Sequence, residues 1–552
     1  MAGDGLNHVS MTLTEQLPIL QVLVPFVAAP LIVFIGSRSL AWPIAFASSI
    51  ASFAIAVLLL GQVIDGDVIS YHIGGWAPPL GIEYRVDATN AFVLLLISGI
   101  SSVVLPFARA SLSVELPPRK HTLFYALFML CLTGLLGVVI TGDAFNVFVF
   151  LEISSLSTYV LIAQGASRDK RALSSAYNYL IMGTIGATFF VIGIGFLYMT
   201  TGTLNMADLA VRLEGQGDNR TVQAAFAFIV VGIGLKAAIY PLHFWLPNAY
   251  TFAPSVVTAF LAATATKMAI YVLLRFMFTV FQPAFLDDGI TLEVIILPFA
   301  IMAMFAASLS AVFQRDLKRM LAYSSVAQIG YMLLGITFFS ETGLMATIVH
   351  LFNHGITKAA LFMGVGCYVM QVGGGFYSQL SGAGKTMPWT SAAVVVAALS
   401  LVGIPGTAGF ISKWLLIEAA LDRGWWIVAL LVVASSLLAV IYVWRLIEAL
   451  YLSQPAEGKT PQEVPMGMLL PPVAFAMLWI GLWLLGSFQP QERVGHVRDL
   501  VSEPERSTQT TLDNLGFVHR RRDGGHRVFG THERVNLLVR VPYQDLAALL
   551  LG

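Results

Sequence analysis

The segment that decides the fold is Val231-Gly-Ile-Gly-Leu-Lys236-Ala-Ala-Ile-Tyr-Pro241-Leu-His-Phe-Trp-Leu-Pro247. It is apolar enough for a membrane-spanning helix, yet it carries a lysine with two glycines before it and two prolines after it. Such residues interrupt helices, and in lipid a broken backbone is tolerated only where protein or a water-filled cavity satisfies its polar groups. The segment therefore predicts an interrupted transmembrane helix that places Lys236 among buried polar groups or water.

The composition of the whole chain is typical of a membrane protein. Of the 552 residues, 57% are hydrophobic and only 11% are charged, against roughly 25% charged in an ordinary soluble protein. This excludes a chain of several soluble domains, because such domains need polar residues to cover their surfaces. The formal net charge is zero, which gives no electrostatic footprint for nucleic acid. Cys131 and Cys367 both lie in apolar runs, which argues against a disulfide or a cysteine metal site.

The length of the apolar runs predicts an all-α membrane protein with about 14 transmembrane helices, because a helix needs about 20 residues to cross the hydrocarbon core. The candidate helices lie near residues 17–37, 41–64, 89–108, 121–140, 143–164, 178–200, 222–246, 254–281, 291–313, 319–339, 342–370, 391–421, 425–452 and 467–488. The first run lacks the basic flank and cleavage site of a signal peptide, so we expect it to be retained.

The distribution of Lys and Arg predicts the orientation of the chain. Most of these residues fall in linkers after odd-numbered helices, including Arg168, Arg315 and Arg319. Those linkers should be cytoplasmic, which places the N-terminus outside. The C-terminal tail from Gln491 is rich in arginine and does not fit this scheme well. An extra or missing span is the alternative explanation.

Several titratable residues lie inside the predicted spans, where a charge costs about 3 kcal/mol or more and is by default a functional hypothesis. Glu152 lies about nine residues after Asp143, which at ~1.5 Å per residue is over 10 Å into the membrane. Lys267 follows small residues and threonines that allow neighbouring helices to approach closely. For Lys236 the alternative is a lysine that extends to the interface, and for Lys267 it is a structural salt bridge.

Three further titratable groups share one predicted helix. His350, His354 and Lys358 are spaced four residues apart, which aligns them on one helix face. The two histidines have the spacing of metal ligands, but no zinc-protease glutamate lies between them and no third ligand is evident. Because histidine titrates near neutral pH, a proton relay is the better interpretation. We therefore predict neither a metal nor a cofactor.

A second apolar segment repeats the pattern around Lys236. Lys413 follows Gly403, Pro405, Gly406 and Gly409, so it too lies in an interrupted helix. Two such segments in one chain suggest an internal repeat in which each copy holds one broken helix.

These segments together resemble the proton-conducting antiporter family. The most specific stretches are Phe150-Leu-Glu152-Ile-Ser-Ser, the run from Gly234 to Tyr250, and Ala322-Tyr-Ser-Ser-Val-Ala-Gln-Ile-Gly-Tyr331. The family contains the antiporter-like subunits of respiratory complex I, of membrane-bound hydrogenases and of multisubunit Mrp-type Na⁺/H⁺ antiporters. The D-type Mrp subunit resembles the pattern best, because it combines the membrane glutamate with a lysine on helix 12. The M-type and N-type complex I subunits are related.

The resemblance implies two inverted five-helix repeats, formed by helices 4–8 and 9–13, with helices 7 and 12 broken. The implied organisation is an N-terminal unit of three helices, a first repeat, a second repeat, a last helix and a polar C-terminal tail, at residues 1–120, 121–281, 291–452, 467–488 and 489–552. It also implies that Glu152 and Lys236 form an ion pair, that Lys267 is a central relay residue, and that Lys413 is the terminal lysine of a path through His350, His354 and Lys358.

The implied function is a proton-translocating subunit that couples proton flux to the extrusion of a monovalent cation, Na⁺, within a hetero-oligomer. Its implied location is the lipid bilayer of a bacterial-type cytoplasmic (inner) membrane. The alternative is an antiporter-like pump subunit of an NADH-quinone oxidoreductase or a membrane-bound hydrogenase. The chain has no CxxC ligand set, dinucleotide fingerprint or flavin motif, so redox chemistry would belong to partners and the chain itself would not be an enzyme. A third hypothesis is a scaffold with inert buried charges.

Overall fold

The structure is a computed structural model that describes residues 13–281, 292–454 and 462–487. Within these ranges the chain is mostly helical, which confirms the predicted all-α membrane class. The predicted polar tail at residues 489–552 lies outside the described residues.

The described part of the chain before residue 282 holds α1 to α10 and one small hairpin. The helices are α1 (Leu17–Ile35), α2 (Arg38–Val63), α3 (Ala88–Glu115), α4 (His121–Ile140), α5 (Ala144–Ala163), α6 (Arg171–Thr201), α7 (Met206–Arg212), α8 (Arg220–Ala237), α9 (Trp245–Phe252) and α10 (Ser255–Leu274). Strands β1 (Ile69–His72) and β2 (Glu83–Val86) pair antiparallel between α2 and α3.

The described part after residue 291 holds α11 to α20. These are α11 (Leu292–Met302), α12 (Ser308–Val312), α13 (Leu317–Thr337), α14 (Glu341–Val372), α15 (Tyr377–Leu380), α16 (Ala383–Thr386), α17 (Pro388–Val402), α18 (Ala408–Asp422), α19 (Trp426–Ile447) and α20 (Met466–Ser487). Short π-helical turns continue α10, connect α11 to α12 and continue α19, at Arg275–Val280, Ala303–Ala307 and Glu448–Leu452.

Among the described residues, 12 helices are long and apolar enough to cross a membrane. The number rises to 13 if the bent pair Tyr377–Thr386 and Pro388–Val402 is one span. The predicted span near 391–421 is divided between α17 and α18, and neither piece has the length of a full span. The count of 14 and the inverted repeats stay predictions.

Helices α10, α13 and α14 are among the most deeply buried in the described part of the chain. In their most apolar stretches 94%, 94% and 83% of the residues are buried, whereas in α1, α6 and α19 the share is 39%. In water such exposed apolar faces would be unfavourable, but in a membrane they contact lipid or neighbouring helices. The central helices carry four of the predicted site residues, which places these residues far from lipid.

The break after Lys236 is made by the backbone of one alanine. Helix α8 ends at Ala237 because Ala238 adopts a left-handed conformation with φ 57°. Residues 238–244 then lead to the short helix α9. The Trp245 indole N–H donates to the Leu235 carbonyl at 2.9 Å, which satisfies a carbonyl near the interrupted helix end.

The break before Lys413 is made by glycines. Helix α17 ends at Val402, and Gly403 and Gly406 adopt left-handed φ values of 84° and 94°. Helix α18 then begins at Ala408. The chain is therefore interrupted at both segments whose glycines and prolines predicted it, and each interruption adjoins a lysine.

Basic residues gather at one end of the helix bundle, around a cleft of about 550 Å³. We call this end the basic rim and define it by Arg168, Arg315, Lys318 and Arg319. Lys318 is buried there and donates to the Ala253 carbonyl at 3.1 Å.

An exposed ion pair, Asp169 with Arg171, also lines the cleft of the basic rim. Its atoms are 2.6 Å apart, and the hydrogen bond from Arg171 lowers the pKa of Asp169. The seven predicted site residues do not line this cleft.

A buried ion pair stabilises the opposite end of the bundle. Asp87 caps α3 by accepting a hydrogen bond from the Asn90 backbone N–H. Its carboxylate also binds the guanidinium of Arg275, although the two residues are 188 positions apart in sequence. Arg275 donates in addition to the Tyr271 hydroxyl at 2.8 Å. This pair links α3 to the end of α10, the helix that carries Lys267.

Replacing Asp87 with Ala should lower the thermal stability of the protein strongly. The variant leaves the buried Arg275 guanidinium without its carboxylate, which typically costs about 3–5 kcal/mol. The matched control is Asp208→Ala, because Asp208 pairs with Arg212 at 3.0 Å but at an exposed site, where such pairs contribute at most about 1 kcal/mol. Thermal unfolding in detergent measures the melting temperature of both variants. An equal decrease for the two variants would contradict the assignment of Asp87 and Arg275 as a stabilising buried ion pair.

Candidate functional site

The seven predicted residues lie on helices that pack together through the interior. Five of them are less than 5% exposed: Lys267, His350, His354, Lys358 and Lys413. The side chains of Lys236 and Glu152 are 9% and 26% exposed. We call these seven residues the row. Burying ionisable groups is unfavourable unless each has an acceptor or a charged partner, so the contacts of each group indicate what the row can do.

One end of the row is an ion pair between α8 and α5. The Lys236 Nζ lies 3.7 Å from Glu152 Oε1 and donates to the Ser155 hydroxyl at 2.5 Å. Glu152 Oε1 itself has no hydrogen-bond partner among the described residues. The pair is thus in electrostatic contact without a direct hydrogen bond.

Close packing of two helix backbones positions Lys236. A Cβ placed at Gly232 of α8 would lie 2.6 Å from the Gly186 carbonyl of α6. Only glycine fits at this distance, so α6 and α8 are in direct backbone contact one turn before the lysine. This contact fixes the height of Lys236 relative to α6.

Lys267 has only neutral acceptors. Its ammonium donates to the Ala262 carbonyl of its own helix and, at 3.4 Å, to the Thr266 hydroxyl. In the described ranges no carboxylate lies within ion-pair distance of it. One of the threonines that precede this lysine in the sequence is therefore a direct contact of its ammonium.

The histidines of α14 form the centre of the row. The His350 and His354 rings are nearly parallel, with centroids 6.2 Å apart, as expected for one helix face. His350 Nδ1 lies 2.9 Å from the Ser412 hydroxyl, and its Nε2 has no protein partner among the described residues. Neither ring nitrogen of His354 has one either. These nitrogens remain available to take up or release a proton.

Lys358 lies one turn beyond His354 and contacts α13. Its ammonium donates to the Ser324 hydroxyl at 2.6 Å and to the Leu321 carbonyl at 2.8 Å. It has no carboxylate partner among the described ion pairs.

Lys413 is held by the interrupted end of α17. Its Nζ donates to the carbonyls of Leu401 and Val402 at 3.3 and 2.8 Å, and to the Ser436 hydroxyl at 3.1 Å. The last carbonyls of a helix lack intrahelical partners and carry partial negative charge. The break therefore supplies the acceptors that the buried ammonium needs. The Nζ also lies 4.6 Å from the centre of the Tyr331 ring, a favourable cation–π distance.

The residues that sequence reasoning missed are the hydroxyl partners: Ser155, Ser324, Ser412, Ser436 and Tyr331. The available signal was the repeated serine pair in two apolar segments, Ser154-Ser155 and Ser324-Ser325. In both helices the two hydroxyls bond back to the leucine carbonyl three and four residues earlier, Leu151 or Leu321.

Comparison with known proteins gives one consistent group. The sequence profile of the NADH:quinone oxidoreductase/Mrp antiporter transmembrane family matches residues 141–439. The N-type subunit of the NADH-quinone oxidoreductase of Desulforudis audaxviator is 40% identical over 87% of this chain and 97% of the relative. The D-type subunit of the Na⁺/H⁺ antiporter of Alkalihalophilus pseudofirmus is 31% identical over 83% of this chain and 92% of the relative. A chain in the solved Mrp complex of Dietzia sp. is 27% identical with a TM-score of 0.79, covering 87% of this chain and 96% of that one.

The geometry predicts that two glycine substitutions at the break before Lys413 lower the stability of the protein by different amounts. Gly403→Ala places a Cβ 2.8 Å from the Lys413 side chain and also requires a left-handed residue. The matched control Gly406→Ala also forces an alanine into a left-handed conformation, but its Cβ meets open space. It should therefore lower the free energy of unfolding only by the roughly 1–2 kcal/mol of left-handed strain. We expect a lower melting temperature for Gly403→Ala than for Gly406→Ala in detergent. Equal melting temperatures would show that Gly403 does not position Lys413.

Proposed function

Because this chain belongs to the NADH:quinone oxidoreductase/Mrp antiporter transmembrane family, we propose that it is the proton-translocating subunit of a multisubunit Na⁺/H⁺ antiporter. The observation that carries the proposal is the buried row of four lysines and two histidines with a single carboxylate at one end. In this function the chain is a transporter subunit and not an enzyme.

The first step of the proposed mechanism takes place at Lys236 and Glu152. In a medium of low dielectric constant the carboxylate strongly stabilises the neighbouring ammonium, so Lys236 keeps its proton while the pair is closed. When the pair opens, that stabilisation is lost and Lys236 passes its proton to Lys267. The 3.7 Å separation, which is longer than a hydrogen bond, supports a pair that opens readily.

The second step passes through residues with neutral acceptors. Carbonyl and hydroxyl oxygens stabilise an ammonium less than a carboxylate does, so they allow both the protonated and the neutral lysine. Lys267 and Lys358 have acceptors of this kind. His350 and His354 then connect the central lysines to Lys413, which exchanges the proton with one side of the membrane.

Two matching backbone hydrogen bonds, which we call clamps, support the inverted repeats. The proposed boundaries of the repeats are 121–281 and 291–452. The Ala144 N–H donates to the Leu204 carbonyl at 2.8 Å, and the Leu317 N–H donates to the Gly375 carbonyl at 2.8 Å. Each clamp starts a helix whose N-cap is an aspartate, and that helix carries one of the two serine pairs. The second clamp lies at the basic rim, whereas the first adjoins β2 at the opposite end. Opposite positions are what an inversion requires.

The proposed partners are other membrane subunits of a hetero-oligomer. The Glu152 side chain is 26% exposed although it lies at membrane depth. A carboxylate facing lipid is costly, so we expect a neighbouring subunit to cover it and to control the pair with Lys236. The proposed location is the bacterial cytoplasmic membrane, with the N-terminus outside and the basic rim in the cytoplasm.

A second candidate function is the antiporter-like subunit of an NADH-quinone oxidoreductase or a membrane-bound hydrogenase. The 40% identity to an N-type oxidoreductase subunit favours it. Both candidates use the same row, and they differ in the partners. Purification in mild detergent distinguishes them, since an antiporter should carry small membrane subunits and a redox complex should carry hydrophilic iron–sulfur subunits.

Glu152→Gln and Lys236→Ala should each abolish cation-dependent proton transport in membrane vesicles that contain the assembled complex. Lys236→Arg should fail as well, because arginine keeps the charge but does not release its proton at physiological pH. The control is Lys120→Ala, which removes an exposed lysine bonded to Ser167 and should transport normally. Normal transport by Lys236→Arg in an assembled complex would refute the relay.

A further inference from the structure

We propose that Tyr331, Tyr442 and Tyr377 form a proton path between Lys413 and the basic rim. The inference rests on the proposed function and extends it, because it assigns the terminal lysine to one side of the protein. Lys413 lies deep among helices, so a proton that reaches it needs a route to a surface.

The inner end of the path begins at Lys413 itself. Its ammonium donates to Ser436 at 3.1 Å, and the same serine lies 3.3 Å from the Tyr331 hydroxyl. Tyr331 belongs to α13 and Ser436 to α19, so the contact spans two helices. A proton released by Lys413 therefore has a hydroxyl pair within direct reach.

The middle of the path is Tyr442. It lies six residues after Ser436 on α19, about 9 Å along the helix at ~1.5 Å per residue. The direction is toward the basic rim, because Arg445 follows three residues later and packs on Tyr377. Tyr442 is fully buried, and the hydroxyls of Tyr331 and Tyr377 lie within electrostatic range of its own.

The outer end of the path is Tyr377, which is fixed to the basic rim by its backbone. Its N–H donates to the Arg315 carbonyl at 3.1 Å. The Arg445 guanidinium lies 5.2 Å from the centre of its ring, and Asp316 acts electrostatically on its hydroxyl. Asp316 lines the cleft of the basic rim, so water in that cleft can carry a proton away from this end of the path.

A structural role does not explain the two outer hydroxyls. Among the described residues, the hydroxyls of Tyr442 and Tyr377 are buried without a protein hydrogen-bond partner. Such burial is unfavourable, and phenylalanine would fill the same space without that cost. Tyr368 shows the usual arrangement, because its hydroxyl lies 2.8 Å from that of Ser391. Buried hydroxyls without protein partners commonly bind ordered water, and water joined to phenols makes a chain that conducts protons.

Proton transfer along this path is balanced at each group. A tyrosine hydroxyl has one donor hydrogen and two acceptor lone pairs. Its oxygen accepts a proton from the inner neighbour while its own proton moves to the outer neighbour. Each phenol therefore ends neutral, and rotation of the hydroxyls resets the chain for the next proton.

The test uses Tyr442→Phe and Tyr377→Phe in the complete complex, assayed in vesicles by a pH-sensitive dye after a Na⁺ pulse. We expect each variant to slow proton flux about tenfold, less than the roughly 100-fold effect of a positioned proton-transfer group in an enzyme, because water partly replaces the hydroxyl. Assembly and melting temperature should be retained, since no protein hydrogen bond is removed. The control Tyr368→Phe loses a hydrogen bond outside the path and should transport at the parent rate.

Lys413→Met separates this inference from the proposed function. If Lys413→Met is inactive while both tyrosine variants transport at the parent rate, the tyrosine path is overturned and the row stands. If Lys413→Met also transports at the parent rate, the proposed function fails. A slower flux that only follows a loss of assembled complex also contradicts the path.

Discussion

A lysine buried in a membrane protein needs an acceptor for its ammonium, and this chain has few buried carboxylates to offer. Three of the four lysines in the row rely on carbonyl and hydroxyl oxygens instead. The clearest case is Lys413, whose acceptors are the free carbonyls at the end of α17. The interruption of that helix is therefore the means by which a charge is held inside the core. Gly403, which helps to make the turn, also leaves room for the Lys413 side chain.

The same constraint gives the single carboxylate its importance. Neutral acceptors allow a lysine to hold or to lose its proton, whereas a carboxylate favours the charged form. Glu152 thus makes one end of the row different from the rest. Because it is also the most exposed member of the row, it is the residue on which a neighbouring subunit can act. A partner subunit would then act on Glu152, while the lysines and histidines of the row conduct the protons.

Much of this arrangement can be predicted from the sequence, because a charge in an apolar run stands out. The membrane class, the two interruptions and the sharing of one helix face by His350 and His354 all follow from local patterns. Contacts between distant segments do not. An aspartate directly before an apolar helix fits a helix cap, but nothing in the local pattern pairs Asp87 with Arg275, which lies 188 positions away. Serine partners such as Ser436 escape prediction because a serine in an apolar helix usually bonds to its own backbone.

The central claim is that protons pass through the row rather than around it, and Lys267 tests it most directly. It lies fully buried at the centre of the chain without a carboxylate partner among the described ion pairs. The measurement is Na⁺-driven proton flux in proteoliposomes that contain the purified complex with Lys267→Met, with the melting temperature measured on the same sample. The account predicts that flux is lost while the complex stays assembled and melts no lower than the parent, because an unpaired buried charge has been removed. Flux at the parent rate in an assembled variant would contradict it and would leave these lysines as inert parts of a scaffold.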